Sequence, residues 1–469
     1  MLKGPVIAAW MLGALTALGL AGSIYRTPIQ VSDSLEVIER VSGLPSLGAA
    51  FVDGLHNSPV MLRPLKQVET KLLVEAGEAL GNRYHLVFRG YHAAAGAALI
   101  ALFLLVCRVR TWTDVAALGF GLAVLTGMQT FVGLFREAFP LNHFLLVALA
   151  VLATYALAQT RGGRLVDLAA AAIFAVAALT FETGLLVWPV AVTGYVAGLR
   201  GISKRGIALM TIVLIAYGTA RVTYLQYRSI GVGQRTTGFG TGTLSPQDQV
   251  TRFGEDPTPF YAYNAAMSAT SVLVSQPTVG QWTVVNAWRQ GRLPPVYVVQ
   301  IGSSLLTSAL IAWFMIGRGA SGSRRWRDPI SLVFLVLLVA NAIMSYSYAK
   351  EEVVSAAGVL YAVMACVAAR ALLAHRPPVW LAGPIIAVAL AVSSAWAIRS
   401  IGLHLKLRHG AFDARSQWAS VFYPTNPASW PAEGHTRQIV ERMREEALMQ
   451  RTIAPAMLPR WTEQWWGED

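Results

Sequence analysis

Two cysteines in 469 residues leave no disulfide framework and no cysteine metal cluster to infer. Both of them, Cys107 and Cys366, sit inside apolar runs, where they read as small core residues. Charge is scarce as well. Asp, Glu, Lys and Arg make up 13% of the chain against 55% hydrophobic residues, and that charged share is about half the average for a soluble domain. No Walker-type phosphate loop, HExxH, GxSxG or CxxC pair occurs, so nothing supports an ATPase, a zinc protease or a serine hydrolase. No internal repeat is visible.

What is present is a succession of apolar stretches, each of about 20 residues and able to span a hydrocarbon core of about 30 Å. We read spans at 5–24, 85–107, 113–135, 144–159, 165–181, 184–199, 206–226, 296–316, 329–348, 353–373 and 379–398. The first stretch has the length of a retained span rather than of the short apolar core of a cleavable leader. The fifth and sixth are short and meet at "LTFETGLLVWP", which suits either one kinked hairpin with Glu182 near its tip or two crossings. The expected fold is an all-α polytopic membrane protein of about 11 transmembrane helices, with amphipathic helices in its first outer loop.

The excess of base over acid, +13, belongs mostly to short loops. Arg108 and Arg110, Arg161 and Arg164, Arg200, Lys204 and Arg205, Arg318, Arg324, Arg325 and Arg327, and His375 and Arg376 fall on one side when spans are counted alternately. That is the positive-inside pattern, so the basicity sets orientation, and no nucleic-acid partner is expected. Parity places three longer polar segments on the other, outer face: 25–84, 227–295 and a tail, 399–469, following a membrane domain of residues 1–398. Within 227–295, "TPFYAYNAAMSATSVLVSQP" (258–277) reads as an amphipathic or re-entrant helix. The tail offers "HTRQIVERMREEALMQR", with Ile439, Val440, Met443, Ala447 and Leu448 at helical spacing, suited to packing on the outer face or the lipid interface.

Ionisable groups in or at the rim of a membrane are costly, which makes them functional candidates. Asp33 follows the first span. It suits an N-cap on "SLEVIERV", or a surface carboxylate that takes a proton from a hydroxyl or binds a divalent ion. Arg63 precedes Pro64, which fixes a turn that delivers a guanidinium, and arginine forks fit phosphate oxygens. Glu69 and Glu75 can neutralise the bases of this segment, Lys66 and Lys71 among them, in a solvated amphipathic helix. In "NRYHLVFRGYHAA", His85, Arg89 and His92, at spacings of four and three, share one helical face, which predicts that they turn toward the bundle interior or an outer cavity. Arg136, Glu137 and His143 in "REAFPLNHF", then Glu182, Arg221, Lys350, Glu351 and Glu352, also fall toward the outer side, whereas Arg370 lies near the inner end of its span as a snorkelling anchor.

The order "LRPL", "YHLVFRGYHAA", "REAFPLNHF", "LTFETGLLVWP" resembles the N-terminal half of GT-C-class membrane glycosyltransferases, in particular the protein O-mannosyltransferase-like group. The resemblance covers about residues 1–200. It implies an inverting transferase that moves a sugar from a polyprenyl-phosphate carrier to a hydroxyl of a glycan or protein acceptor, at the outer face of what would be a bacterial inner membrane. By position, Asp33 would be the general base or, in metal-using relatives, a ligand to a divalent cation such as magnesium or manganese. Glu137 would help hold the acceptor or the ion. Arg63, Arg89 and Lys350 would steady the carrier phosphate, with His85, His92 and Glu182 as further substrate-positioning groups. The chain departs from the family where paired acids are replaced by Asp33 and Glu36, the lysine before the hairpin glutamate by Phe181, and an asparagine by Phe88. A lipid-linked substrate transporter or flippase, and a non-catalytic membrane scaffold, are the rival expectations.

Overall fold

The computed structural model describes residues 4–29, 31, 35–56, 62–128, 143–225, 236–238, 242–274, 281–317, 324–375, 379–422 and 434–450. Apart from a two-stranded hairpin, β1 (Thr236–Gly238) and β2 (Gly242–Leu244), the regular structure in these residues is helical. After α1 (Gly4–Tyr25) come three short helices, α2 (Leu35–Ser42), α3 (Leu47–His56) and α4 (Pro64–Ala79). The bundle continues with α5 (Tyr84–Cys107), α6 (Trp112–Gly127), α7 (His143–Ala158), α8 (Arg164–Thr180), α9 (Val187–Val196) and α10 (Lys204–Leu225). Past the hairpin lie α11 (Pro246–Phe253), α12 (Thr258–Val274), α13 (Gln281–Arg289), α14 (Pro295–Ile316), α15 (Pro329–Met344), α16 (Ser355–Ala374), α17 (Val379–Ser416) and α18 (His435–Met449). Among the described residues six helices, α1, α5, α10, α14, α16 and α17, are long and apolar enough to cross a membrane, and α6, α7 and α15 are shorter apolar helices. The chain is an all-α membrane protein in its architecture.

Helix α16 is the centre of the bundle, buried at fourteen of its twenty residues. Its alanines and glycine let neighbours approach closely, as small residues do in membrane helix packing. A Cβ on Gly121 of α6 would meet Cβ of Cys366 at 2.7 Å. Both cysteines are buried and free, in agreement with their reading as core residues.

The basic loops are tied to one another at one end. Arg108 donates to the Gln159 carbonyl at 2.8 Å, and Arg370 pairs with Asp114 at 2.8 Å and also reaches the Cys107 carbonyl. The Gly201 amide donates to the Ala158 carbonyl at 3.0 Å, and Asp167 accepts from the Ser203 amide and hydroxyl at 2.9 and 2.7 Å. Alternate parity and geometry therefore agree on which loops share an end. Helices α8 and α9 leave and return to this end as a hairpin, and a 3-10 turn, Glu182–Leu186, forms its tip. The tip folds back so tightly that a Cβ on Gly184 would overlap the Ala177 carbonyl.

Helix α12 enters the bundle from the opposite end, where Asn264 donates to the Tyr346 carbonyl at 2.9 Å. Its described residues reach the interior. Its Leu273 carbonyl accepts from Ser308, which also lies 3.0 Å from the Tyr361 hydroxyl. Ser308 is about 20 Å along α14 at 1.5 Å per residue, so the last described turn of α12 packs deep in the bundle.

The sequence-based boundary at 398 falls inside α17, which runs unbroken to Ser416. The reason is Arg399, whose charge looks like a span end but is buried within the bundle. Its Nη1 donates to the Gln300 carbonyl at 3.0 Å and to the Ser303 and Ser304 hydroxyls at 2.7 and 2.9 Å, while its guanidinium stacks 4 Å or less from the Trp396 ring. Satisfied in this way, an arginine can remain in a helix interior. Beyond it, Leu403, Leu407 and Ala411 continue a buried stripe at a four-residue interval.

A second, smaller core lies above the bundle at the end opposite the basic loops. It joins Ile29, Val31, Leu35, Ile38, Leu73, Val74, Tyr84 and Phe88 to Ile439, Val440, Met443 and Ala447 of α18. The tail helix thus packs on the 25–84 segment with the apolar face read from its spacing, whereas Leu448 is left exposed.

Candidate functional site

Arg63 is the N-cap of α4, and Pro64 occupies the first helical position, where its missing N–H costs nothing. The turn aims the guanidinium at the tip of the α8–α9 hairpin. Nε and Nη2 donate to the same oxygen of Glu182, Oε2, at 2.8 and 2.5 Å. Phe181, which stands where the resembled family carries a lysine, lies under the guanidinium at 4.1 Å and is met edge-on by Phe144. Arg221 approaches from α10, its Nη1 3.7 Å from the other Glu182 oxygen and 3.4 Å from the Tyr217 hydroxyl.

Two guanidinium groups thus converge on one carboxylate and leave one positive charge in excess. Burial alone would raise the Glu182 carboxyl, but the charge and hydrogen bonds of Arg63, with Arg221 behind it, hold it below the ordinary range. The carboxylate is ionised, with Oε2 hydrogen-bonded by Arg63 and Oε1 facing Arg221 at 3.7 Å, and with two guanidinium groups to one carboxylate the cluster carries the charge to attract an anion. It is also reachable: the side chains of Arg63, Glu182 and Arg221 are 16%, 23% and 29% exposed. Arg63 uses two of its five N–H groups on Glu182. Arg221 has no closer acidic contact than 3.7 Å among the described residues. Both can therefore offer donors to phosphate oxygens.

The cluster at the head of α5 is of a different kind. Arg89 is 1% exposed. Its Nε donates to the Thr27 carbonyl at 2.9 Å, Nη2 donates to the Pro28 carbonyl, and Nη1 lies 3.3 Å from His92 Nδ1. His85 Nε2 meets the same Thr27 carbonyl at 3.2 Å, and its ring packs against Tyr25. The three residues do share one inward face. What they meet, however, is the backbone leaving α1 and not an open cavity, so in this geometry Arg89 anchors the segment that leads to residue 33. Asp33, Glu137 and Arg136 lie outside the described residues, as does the side chain of His143.

Lys350 stands at the end opposite the basic loops, its ammonium 5.1 Å from the Tyr348 ring. The chain there is held by backbone pairing with β1, Thr237 N–H to the Ser347 carbonyl at 3.1 Å and Ala349 N–H to the Thr237 carbonyl at 2.8 Å. Among the described residues no group of three or more His, Cys, Asp or Glu side chains gathers as a metal site would require. Sequence reasoning marked Arg63 and Glu182 without pairing them, and it left Arg221 out of the site. The available signal was an arginine inside an apolar span, which must find a partner in the bundle, a carboxylate being one candidate. No family model, characterised protein or solved structure matches the chain.

Proposed function

We propose that the chain is an integral membrane glycosyltransferase that moves a sugar from a polyprenyl-phosphate carrier to a hydroxyl acceptor, on the membrane face opposite the basic loops. The observation that carries this reading is the convergence of Arg63 and Arg221 on Glu182, a partly exposed site with an unneutralised positive charge. A phosphate placed there would receive donors from both arginines. The acceptor oxygen attacks the anomeric carbon, the bond from that carbon to the carrier phosphate oxygen breaks, and the electron pair leaves with the phosphate. Negative charge grows on that phosphate as the bond lengthens, and fixed guanidinium donors favour that state over the ground state. The acceptor's proton passes to a carboxylate, a role for which the family resemblance favours Asp33, with Glu137 helping to hold the acceptor or the ion. A divalent cation, if used, would be held by these same two acids and would polarise the leaving phosphate. In this reading Arg89, His85 and His92 position the Asp33 segment, and Lys350 adds positive charge on the same face.

The test is transfer of labelled sugar from a polyprenyl-phosphate donor by the purified chain in lipid nanodiscs. Activity in the wild type that is lost in Asp33→Asn, with donor binding retained, is the expected result. Wild-type turnover by that variant would overturn the assignment.

Helix α12 favours a second reading. Its Leu273 carbonyl reaches Ser308, beside Tyr361, deep in the bundle, and discontinuous helices of this kind, if the chain turns back there, occur in proteins that pass substrates across membranes. Flipping of a lipid-linked sugar by proteoliposomes, without any transfer product, would select it.

A further inference from the structure

Helices α1 and α17 do not close against each other along their outer halves. Leu15, Thr16, Gly19, Leu20 and Ser23 of α1 form one wall of a cavity of about 320 Å³, and Ser400, Ile401, His404, Leu405 and Arg408 form the other. Thr126 at the end of α6 contributes to its lining. On each helix these residues recur at three- and four-residue intervals, so each wall is a single helical face. Gly19 keeps the space open: a Cβ there would meet nothing within 4 Å.

The groove has two chemically distinct ends. Leu15 and Ile401 make its deep end apolar, and both are more than half exposed on the outer surface of the bundle, so this end opens sideways into lipid. At the other end stand Arg408 and, within electrostatic reach of it, Arg26. Among the described residues neither guanidinium has an ion-pair partner, and no carboxylate is among those that line the groove. Two like charges held near one another at the mouth of an apolar slot, with no counter-charge among the described residues, call for an anion with an apolar tail. The stretch from Leu15 to Ser23 is about 12 Å long at 1.5 Å per residue, a length that takes part of one acyl chain.

We propose that this groove binds an anionic glycerophospholipid of the outer leaflet, with its phosphate between Arg26 and Arg408 and one acyl chain between α1 and α17. The occupant is a bulk lipid because the slot faces the bilayer, where such lipids are in great excess over any carrier, and mass action fills it. The site is separate in residues from Arg63, Glu182 and Arg221, and it holds whether or not the chain transfers sugar.

The experiment is lipid binding to the purified, delipidated full chain in detergent, read by native mass spectrometry and by the shift in melting temperature. The probes are phosphatidylglycerol, phosphatidylcholine, polyprenyl phosphate and inorganic phosphate. Phosphatidylglycerol is expected to bind and stabilise in preference to phosphatidylcholine. Arg408→Gln and Arg26→Gln should each lower that preference about fivefold, Arg408→Lys should restore most of it, and Gly19→Leu should abolish retention of the lipid by filling the slot. Arg63→Ala should leave the preference intact. Equal retention of the two glycerophospholipids by the wild type overturns the proposal, as does an unchanged preference in Arg408→Gln. Stabilisation by inorganic phosphate alone to the same extent rules out the acyl slot. Tighter binding of polyprenyl phosphate at this groove, lost in Gly19→Leu, replaces the glycerophospholipid with the carrier.

Discussion

Arg63 and Glu182 are 119 residues apart in sequence, and two donors of the one meet a single oxygen of the other at 2.8 and 2.5 Å. The pair joins the first outer loop to the tip of the α8–α9 hairpin and orders the arginine for a ligand. Arg63→Ala is expected to weaken the donor complex tenfold or more, about 1.4 kcal/mol, and to lower stability by about 1–3 kcal/mol as Glu182 loses its hydrogen bonds. Arg63→Lys should recover part of the stability but less of the binding, because an ammonium has neither the fork nor the flat face that rests on Phe181. Donor titration and thermal melting of the two variants check this.

Glu446 of α18 accepts the backbone N–H of His85 at 2.9 Å and so caps the first turn of α5. Glu446→Ala is expected to cost about 1 kcal/mol, the usual value of a lost N-terminal cap. Hydrogen exchange should rise at the amides of Tyr84 and His85 and not at the basic end of the same helix.

Glu69 of α4, which accepts from the Tyr91 hydroxyl, is pushed up to about 6 by burial, with that hydrogen bond opposing the shift. A carboxyl whose folded value is raised favours the protonated folded state. Its contribution is fully present below the unfolded value of 4.5 and is lost as pH rises through about 6. Stability should therefore fall by about 2 kcal/mol between those limits. In Glu69→Gln this component of the pH profile should vanish, as measured by denaturation at a series of pH values.

Gly121 of α6 faces Cys366 and Phe103, which a Cβ would meet at 2.7 and 3.1 Å. The 2.7 Å contact is with Cys366 Cβ, an atom rigidly attached to α16. Gly121→Ala must therefore push α6 and α16 apart, at a cost of about 1–3 kcal/mol. Pairing it with Cys366→Gly should restore part of that loss, and thermal melting of the single and double variants measures the coupling.

Much of the architecture could be read from composition and period. Each of the eleven predicted apolar stretches contains a helix, and the described arginines of the short loops share one end, because both features follow from transfer energies that act residue by residue. Arg63 was legible through Pro64, and Glu182 through its place between two apolar runs. The partners were less legible. Arg89 and Arg399 bind backbone carbonyls, and every residue has one, so no side chain in the sequence marks their targets. The extent of α17 was hidden for the same reason: serine hydroxyls and a carbonyl of α14 accept the charge that hydropathy treats as a terminus. The Glu182 to Arg221 approach depends on how α8 and α10 pack, a tertiary relationship that spacing along the chain does not encode.

The cap on α5 has a consequence for the order in which the molecule is built. His85 and Glu446 are separated by 361 residues, so at about 5–20 residues per second the ribosome adds the second roughly 20–70 s after the first. During that interval α5 is already in the membrane with its outer turn unfinished, and the small core above it lacks the face that α18 supplies. Arg370, which ties the basic end to Asp114, is made before Glu446, so nascent chains can close their basic end before the opposite end is sealed. A protease working on that opposite side during biogenesis should cut the α1–α5 connection in partly made chains and spare it in finished ones.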